Sequence, residues 1–205
     1  MDKHIEPSDL ERARADFEKI EPRALFYRVA IELVDLALQG KTPLKVAEGL
    51  AVLLQTWNKA YCRYHKFDEA HFASLEALVS KHQAALRAYR ERTIEALGQG
   101  DDEKAIPALF EEFENLLGPV GAAKALHLLA PRLFPLWDGA IAKAYGFGLR
   151  RRGTNRKRYW CFAHEARRQV LELKRARPVL PDNPLKLIDE YNYCTFTNTK
   201  KKGPS

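Results

Sequence analysis

The sequence predicts an all-α protein. Apolar residues recur at three- and four-residue spacing through nearly every segment. Helix start and stop signals punctuate the chain at intervals that suit ordinary helices. No segment shows the apolar–polar alternation, or the Asn-Gly or Asp-Gly turn between apolar runs, that a sheet of hairpins requires. The Asp138-Gly139 pair stands at a helix start instead.

The elements follow in order. Pro7-Ser8-Asp9 opens a first helix, with Ser8 or Asp9 as N-cap and Glu11 in the first turn, running to about Ile20. Pro22 starts a second, whose Leu25, Val29, Leu33, Leu36 and Ala37 share one face and which stops at Gly40. Thr42-Pro43 opens a third, an N-cap followed by proline at the first helical position. It carries Val46, Leu50, Leu53, Leu54, Trp57 and Tyr61 at helical spacing. Asp68 caps the next, with Phe72, Leu75, Leu78 and Val79 inward; it either continues or breaks before Ile94 and Leu97. Gly98-Gln99-Gly100 is a stop. Asp101-Asp102-Glu103 then places acid where the dipole of a new helix favours it. Ile106, Leu109, Phe110, Phe113, Leu116 and Leu117 form that helix's inner face, and Pro107 falls near enough to its start to be tolerated.

From Leu117 the chain reads LGPVGAAKALHLLAPRLFPLWDGAIAKAYG. This is a helix end at Gly118, a tight connection, a helix from Gly121, a loop bracketed by Pro131 and Pro135, and a helix opened by Asp138 as N-cap. The run from Leu149 to Trp160 is too polar and glycine-broken for a core helix. Tyr159 to Leu173 reads as helix, Pro178, Pro181 and Pro184 as an irregular connection, and Leu185 to Tyr191 as a short helix. The 205 residues suit a single domain over 1–198, with a disordered basic tail at 199–205.

Composition narrows the function. Three cysteines without CxxC spacing exclude a disulfide framework and an ordinary iron–sulfur cluster, and they fit a reducing, cytoplasmic setting. The histidines are too scattered for zinc, and no nucleotide-binding or hydrolase fingerprint is present, so no metal or cofactor is expected. No apolar run reaches membrane-spanning length, so no membrane partner is expected. Net charge is +7, and it is unevenly spread: residues 139–205 carry +11 and residues 1–138 carry −4. A basic segment on a near-neutral body suits a nucleic-acid binder. A helical protein–protein adaptor with a basic tail is a further, third class.

Two features of the 117–146 segment bear on chemistry. Backbone N–H groups at the start of a helix after a glycine turn can hold a phosphate without any side chain. A carboxylate fixed at an N-cap stays ionised and points one way, which cleavage of a glycosidic bond needs beside a sugar that turns positive. This segment resembles the helix-hairpin-helix DNA glycosylase superfamily, with the hairpin motif at about 102–130. The resemblance implies a helical DNA glycosylase-like fold with two lobes around one cleft. It also implies an enzyme that flips a damaged or modified base out of double-stranded DNA and excises it, in base-excision repair or against modified phage DNA. On that pattern Asp138 matches the catalytic aspartate. Lys124 lies near the lysine that acts as a Schiff-base nucleophile in members that also cleave the strand, and a phosphate-contacting lysine is the other reading. Gly118, Val120 and Gly121 match the phosphate-gripping hairpin, although Pro119 is an insertion relative to the usual motif. A non-catalytic hairpin module is the alternative.

Further DNA contacts are expected from His127, one turn beyond Lys124, for which a satisfied packing residue is the other reading, and from Arg150, Arg151, Arg152, Arg156, Lys157 and Arg158, whose charge suits phosphate oxygens. Tyr159 and Trp160 beside them are candidates to stack on a base or wedge into the duplex. A base pocket needs aromatic faces and hydrogen-bonding groups. Gln55, Trp57, Asn58 and Tyr61 on the third helix, Trp137 beside Asp138, and Tyr191 and Asn192 near the C-terminus are the candidates. The protein is expected to act as a monomer.

Overall fold

The computed structural model describes residues 3–20, 24–57, 68–180 and 183–198, and every regular element among them is helical. In chain order these are α1 (Pro7–Ile20), α2 (Ala24–Leu38), α3 (Val46–Trp57), α4 (Glu69–Lys81), α5 (Gln83–Arg90), a 3-10 turn (Ile94–Ala96), α6 (Asp102–Leu129), α7 (Gly139–Ala144), α8 (Arg156–Ala176), α9 (Pro184–Asn192) and a π-helical turn (Tyr193–Thr197). Among the described residues no helix is long and apolar enough to cross a membrane.

Helix starts follow local chemistry, with two corrections. Asp68 and Asp138 cap α4 and α7 as expected, each carboxylate accepting the N–H three residues on, His71 at 3.0 Å and Ile141 at 2.8 Å. Asn183 caps α9 with Pro184 at its first position. By contrast α1 starts at Glu6, not Ser8 or Asp9: Asp9 sits in the first turn and reaches back to the Glu6 N–H at 3.2 Å. α3 starts one turn after Thr42, and Glu48 reaches back to the Lys45 N–H at 2.6 Å. In both, a carboxylate three residues inside the helix satisfies the cap residue's own N–H, the reciprocal half of a capping box. The long helix after Asp68 breaks at His82, which separates α4 from α5.

α6 is the centre of the molecule. α2, α3, α4, α5 and α8 all pack on it. Phe110, Phe113, Leu117, Ala125, Leu126 and Leu129 are buried along it. Its backbone breaks once, at Gly118, where φ is +71° and ψ is 169°. Only glycine adopts that conformation without strain. Pro119 then starts the second half, where a missing N–H costs nothing. The expected glycine turn is therefore present, reduced to a single residue. At the far end of α6 the Arg90 guanidinium donates to the Leu128 and Leu129 carbonyls, both at 2.9 Å, and to Asp35. It thereby caps orphan acceptors at the helix C-terminus.

At the start of α6, Asp102 is bridged by both nitrogens of Arg92 and by the Gly98 N–H. Burial pushes the Asp102 carboxyl up, but the guanidinium and the Gly98 and Gln99 amides outweigh it and hold it below the usual carboxylate value. α2 and α3 cross so closely at Gly49 that a Cβ there would lie 2.9 Å from Val34. The two ends of the chain meet as well: α1 packs on α9, and the Lys3 ammonium lies 3.9 Å from the ring centre of Phe196.

Candidate active site

A cleft of about 460 Å³ opens beside the second half of α6. Val120 and Lys124 come to it from α6. Leu136, Trp137 and Asp138 come from the loop after α6, and Gly139, Ala140 and Ile141 from α7. Trp57 closes it from α3, Phe17 from α1, and Asp189, Tyr193 and Thr197 from the C-terminal helix and turn. Lys124 and Asp138, singled out from the sequence, thus share one cavity, which has four aromatic side chains in its wall.

The Asp138 carboxylate is fixed at both ends. Oδ1 accepts from the Ile141 N–H at 2.8 Å, and Oδ2 accepts from the Thr197 hydroxyl at 2.7 Å. It remains half-buried on the cavity wall. The Lys124 ammonium donates to the Trp57 carbonyl at the end of α3, where orphan acceptors are expected. Asp189 belongs to a second charged group. The nearly buried Lys186 ammonium lies 3.1 Å from Asp189 and 3.3 Å from Glu190, and 4.4, 5.2 and 5.4 Å from the ring centres of Phe17, Tyr27 and Trp57. Carboxylates and aromatic faces both stabilise a cation removed from water. Burial raises the Glu190 carboxyl above the usual range, against the pull of Lys186.

The hairpin glycines differ from expectation. Gly118 and Gly121 are both buried, so their amides do not stand open to a phosphate. The half-buried Pro119 has no N–H, its carbonyl accepts from the Trp137 indole at 3.0 Å, and Val120 faces the cleft. Trp137 is itself 1% exposed and packs against Phe110, Tyr159 and Phe162. It shapes the cavity floor and offers little face to a ligand.

His127 is a correction. It is fully buried, and its ring nitrogens meet the Tyr27 hydroxyl at 2.8 Å and the Phe134 carbonyl at 2.7 Å. It joins α2 to the loop after α6 and cannot touch DNA. Burial lowers its pKa to about 3, from 6.5. The unfolded chain therefore takes up the proton first. The stability tied to a neutral His127 is intact above pH 6.5 and is lost progressively as pH falls from there toward about 3. The urea midpoint of the wild type is expected to fall through that interval, and His127→Gln to show a visibly flatter profile. Parallel profiles would show that this ring does not titrate on unfolding.

The basic run divides. Its last part is helical, since α8 begins at Arg156, so Arg156, Lys157 and Arg158 form a first turn and not a loop. Arg156 is paired with Glu111 at 2.5 Å. Arg152 donates to the Asn115 carbonyl. Arg150, Arg151 and Lys157 are exposed and Arg158 is half-buried. Tyr159 is not available to a base: it is buried, stacks on Phe110 at 4.1 Å and donates to the Pro135 carbonyl. Trp160 is half-buried against the core, its ring edge-on to His164.

What holds this loop was not legible beforehand. Glu114, fully buried on α6, accepts from the side chain of Asn155 at 2.5 Å and from its N–H at 3.1 Å. Asn155 in turn accepts from the Arg150 N–H at 2.7 Å and donates to the Arg150 and Arg151 carbonyls. Gly153, at φ +80°, lies where a Cβ would meet Asn115 at 2.7 Å. The arginine loop is therefore clamped to α6 one turn before the Gly118 break. Leu149, just before it, lies where a Cβ on Gly139 would meet it at 3.8 Å, and Gly139 lines the cleft.

Of the other pocket candidates, Trp57 lines the cleft, while Gln55 is exposed and off it. The two stand two residues apart and so face different sides of α3. Asn192 is buried and accepts from the Tyr145 hydroxyl at 2.8 Å, and Tyr191 packs edge-on to Phe196; neither lines the cavity. Asn58 and Tyr61 lie outside the described residues. Tyr193, from the C-terminal run 190–193 that the sequence offered as a pocket, does line the cavity, and Phe17, Asp189 and Thr197 are among the cavity residues that sequence reasoning missed. They meet Asp138 only through the packing of both chain ends, and no local pattern marks them. Among the described residues no cluster of His, Cys, Asp and Glu is arranged to hold a metal ion. No family model, no curated protein and no solved structure matches this chain.

Proposed function

We propose that the protein is a DNA glycosylase of the helix-hairpin-helix kind, with a two-lobed helical fold around the cleft described above. The observation that carries this reading is that Asp138 and Lys124 share one aromatic-walled cavity, with the carboxylate anchored at both oxygens. An extruded nucleotide would enter this cavity while the exposed Arg150, Arg151 and Lys157 contact phosphates of the duplex.

The chemistry follows from the carboxylate. As the bond from C1′ to the base breaks, its electron pair leaves with the base and the sugar becomes oxocarbenium-like. A fixed anion beside it stabilises that charge without reorganising. Water then adds to C1′ and loses a proton to the departing base, giving an abasic site. If the Lys124 amine, once it has given up its proton, adds to C1′ instead, the C1′–O4′ bond opens to leave a Schiff base, and elimination of the 3′ phosphate cuts the strand. The same reaction serves repair of damaged bases and removal of modified bases from phage DNA.

The test is incubation with duplexes carrying a panel of lesions and modified bases, with mass detection of the freed base. Release of at least one base is expected. Release of none, with salt-sensitive DNA binding retained, would leave a non-catalytic binding module. Neither release nor binding would leave an adaptor. Borohydride trapping on any active duplex assigns the lysine: an adduct lost in Lys124→Gln makes it the nucleophile, and an adduct that survives that change removes it from the role.

A further inference from the structure

We propose that Thr197 is a positioning residue for the catalytic carboxylate, a role that rests on the glycosylase reading above. Asp138 is held by two donors of different origin. The Ile141 N–H belongs to the adjoining helix and comes with the N-cap itself. The Thr197 hydroxyl comes from the other end of the chain and meets Oδ2 at 2.7 Å. With one donor on each oxygen, the carboxylate plane cannot swing about its Cβ–Cγ bond without breaking a hydrogen bond. A hydroxyl has a single proton to donate, and here that proton is committed to Asp138. Thr197 also lines the cavity, so its hydroxyl is fixed where the sugar would sit.

The turn that delivers Thr197 is itself braced. The Cys194 thiol meets the Ala13 carbonyl of α1 at 3.5 Å, the Phe196 ring stands edge-on to Tyr145 at 6.0 Å, and the Lys3 ammonium covers Phe196 at 3.9 Å. Asn192 binds the same Tyr145 hydroxyl. The N-terminus, the end of α7 and the end of α9 therefore converge on a five-residue turn whose last residue touches the catalytic group. A small loss of aim at a reacting centre costs far more rate than stability.

Thr197→Val keeps the shape and removes the donor, and Thr197→Ser restores the donor without the methyl. On a duplex from which the wild type releases a base, Thr197→Val is expected to slow single-turnover release by about 10- to 100-fold. DNA affinity should stay unchanged, the melting temperature should fall by only about 2–8 °C for the lost hydrogen bond, and Thr197→Ser should recover nearly all of the rate. Wild-type release from Thr197→Val overturns the proposal, and so does a Thr197→Ser variant as slow as the valine, because packing and not the hydroxyl would then matter. If the valine variant fails to fold, Thr197→Ala is read against Thr197→Ser by the same criteria. A wild type that frees no base from any duplex defeats the glycosylase reading itself, whereas an active wild type with an equally fast Thr197→Val defeats only the role of Thr197.

Discussion

On the proposed reading, Asp138→Asn is expected to lower base release by about a hundred- to a thousand-fold, the cost of removing one preorganised electrostatic group. The substitution removes the charge, and it reverses the Thr197 hydrogen bond, because the amide NH2 donates where Oδ2 accepted. Asparagine is as good an N-cap as aspartate, so the Ile141 N–H keeps an acceptor and α7 keeps its start. Size is unchanged, so Val120, Trp57 and Phe17 keep the same cavity between them. DNA affinity should hold or rise slightly, because a negative group near phosphates has been removed. The measurement is single-turnover base release beside a binding isotherm at fixed salt. A variant that binds and still releases base at the wild-type rate would show that the anion at this position is not the catalytic group.

Trp137→Ala should be the most destabilising of these changes, by about 3–5 kcal/mol. The indole is almost wholly enclosed by Phe110, Tyr159 and Phe162. Removing it opens a cavity at the junction of α6, α8 and the loop that presents Asp138, and its hydrogen bond to the Pro119 carbonyl goes too. Against a total stability of about 5–15 kcal/mol for an ordinary domain, that is a large share. Trp137→Phe keeps most of the apolar contact and loses the N–H, so about 1–2 kcal/mol is expected. Urea unfolding of both variants checks the order. An alanine variant no less stable than the phenylalanine variant would mean that the surroundings close over the gap.

The helices were legible where a single short signal decides them. Asp68, Asp138 and the Asn183-Pro184 pair each mark a helix start by chemistry confined to four residues. Gly118 marked a break because one backbone conformation excludes other residues. The errors came where a neighbour out of sequence view decides the outcome. Polar composition made 156–158 look like loop, yet α8 starts there because Asn155, pinned by the buried Glu114, turns the chain into the helix. His127 fitted either a phosphate contact or a packing residue, and only the Tyr27 hydroxyl, a hundred residues away, decides for packing. The site shows the same division. Lys124 and Asp138 lie within one contiguous motif, whereas Phe17, Asp189 and Thr197 reach the cavity only through the pairing of α1 with the C-terminal helix and turn.

The one-residue connection at Gly118 also sets what the gene can tolerate. With no slack between the halves of α6, an extra amino acid inserted between Pro119 and Lys124 would advance everything beyond it by about 100° around the axis and 1.5 Å along it. The ammonium would then leave the end of α3, and the imidazole would leave its hydroxyl and carbonyl, all at once. Length changes are thus expected to be tolerated in the outer loops, and an insertion between Gly118 and Asp138 is not.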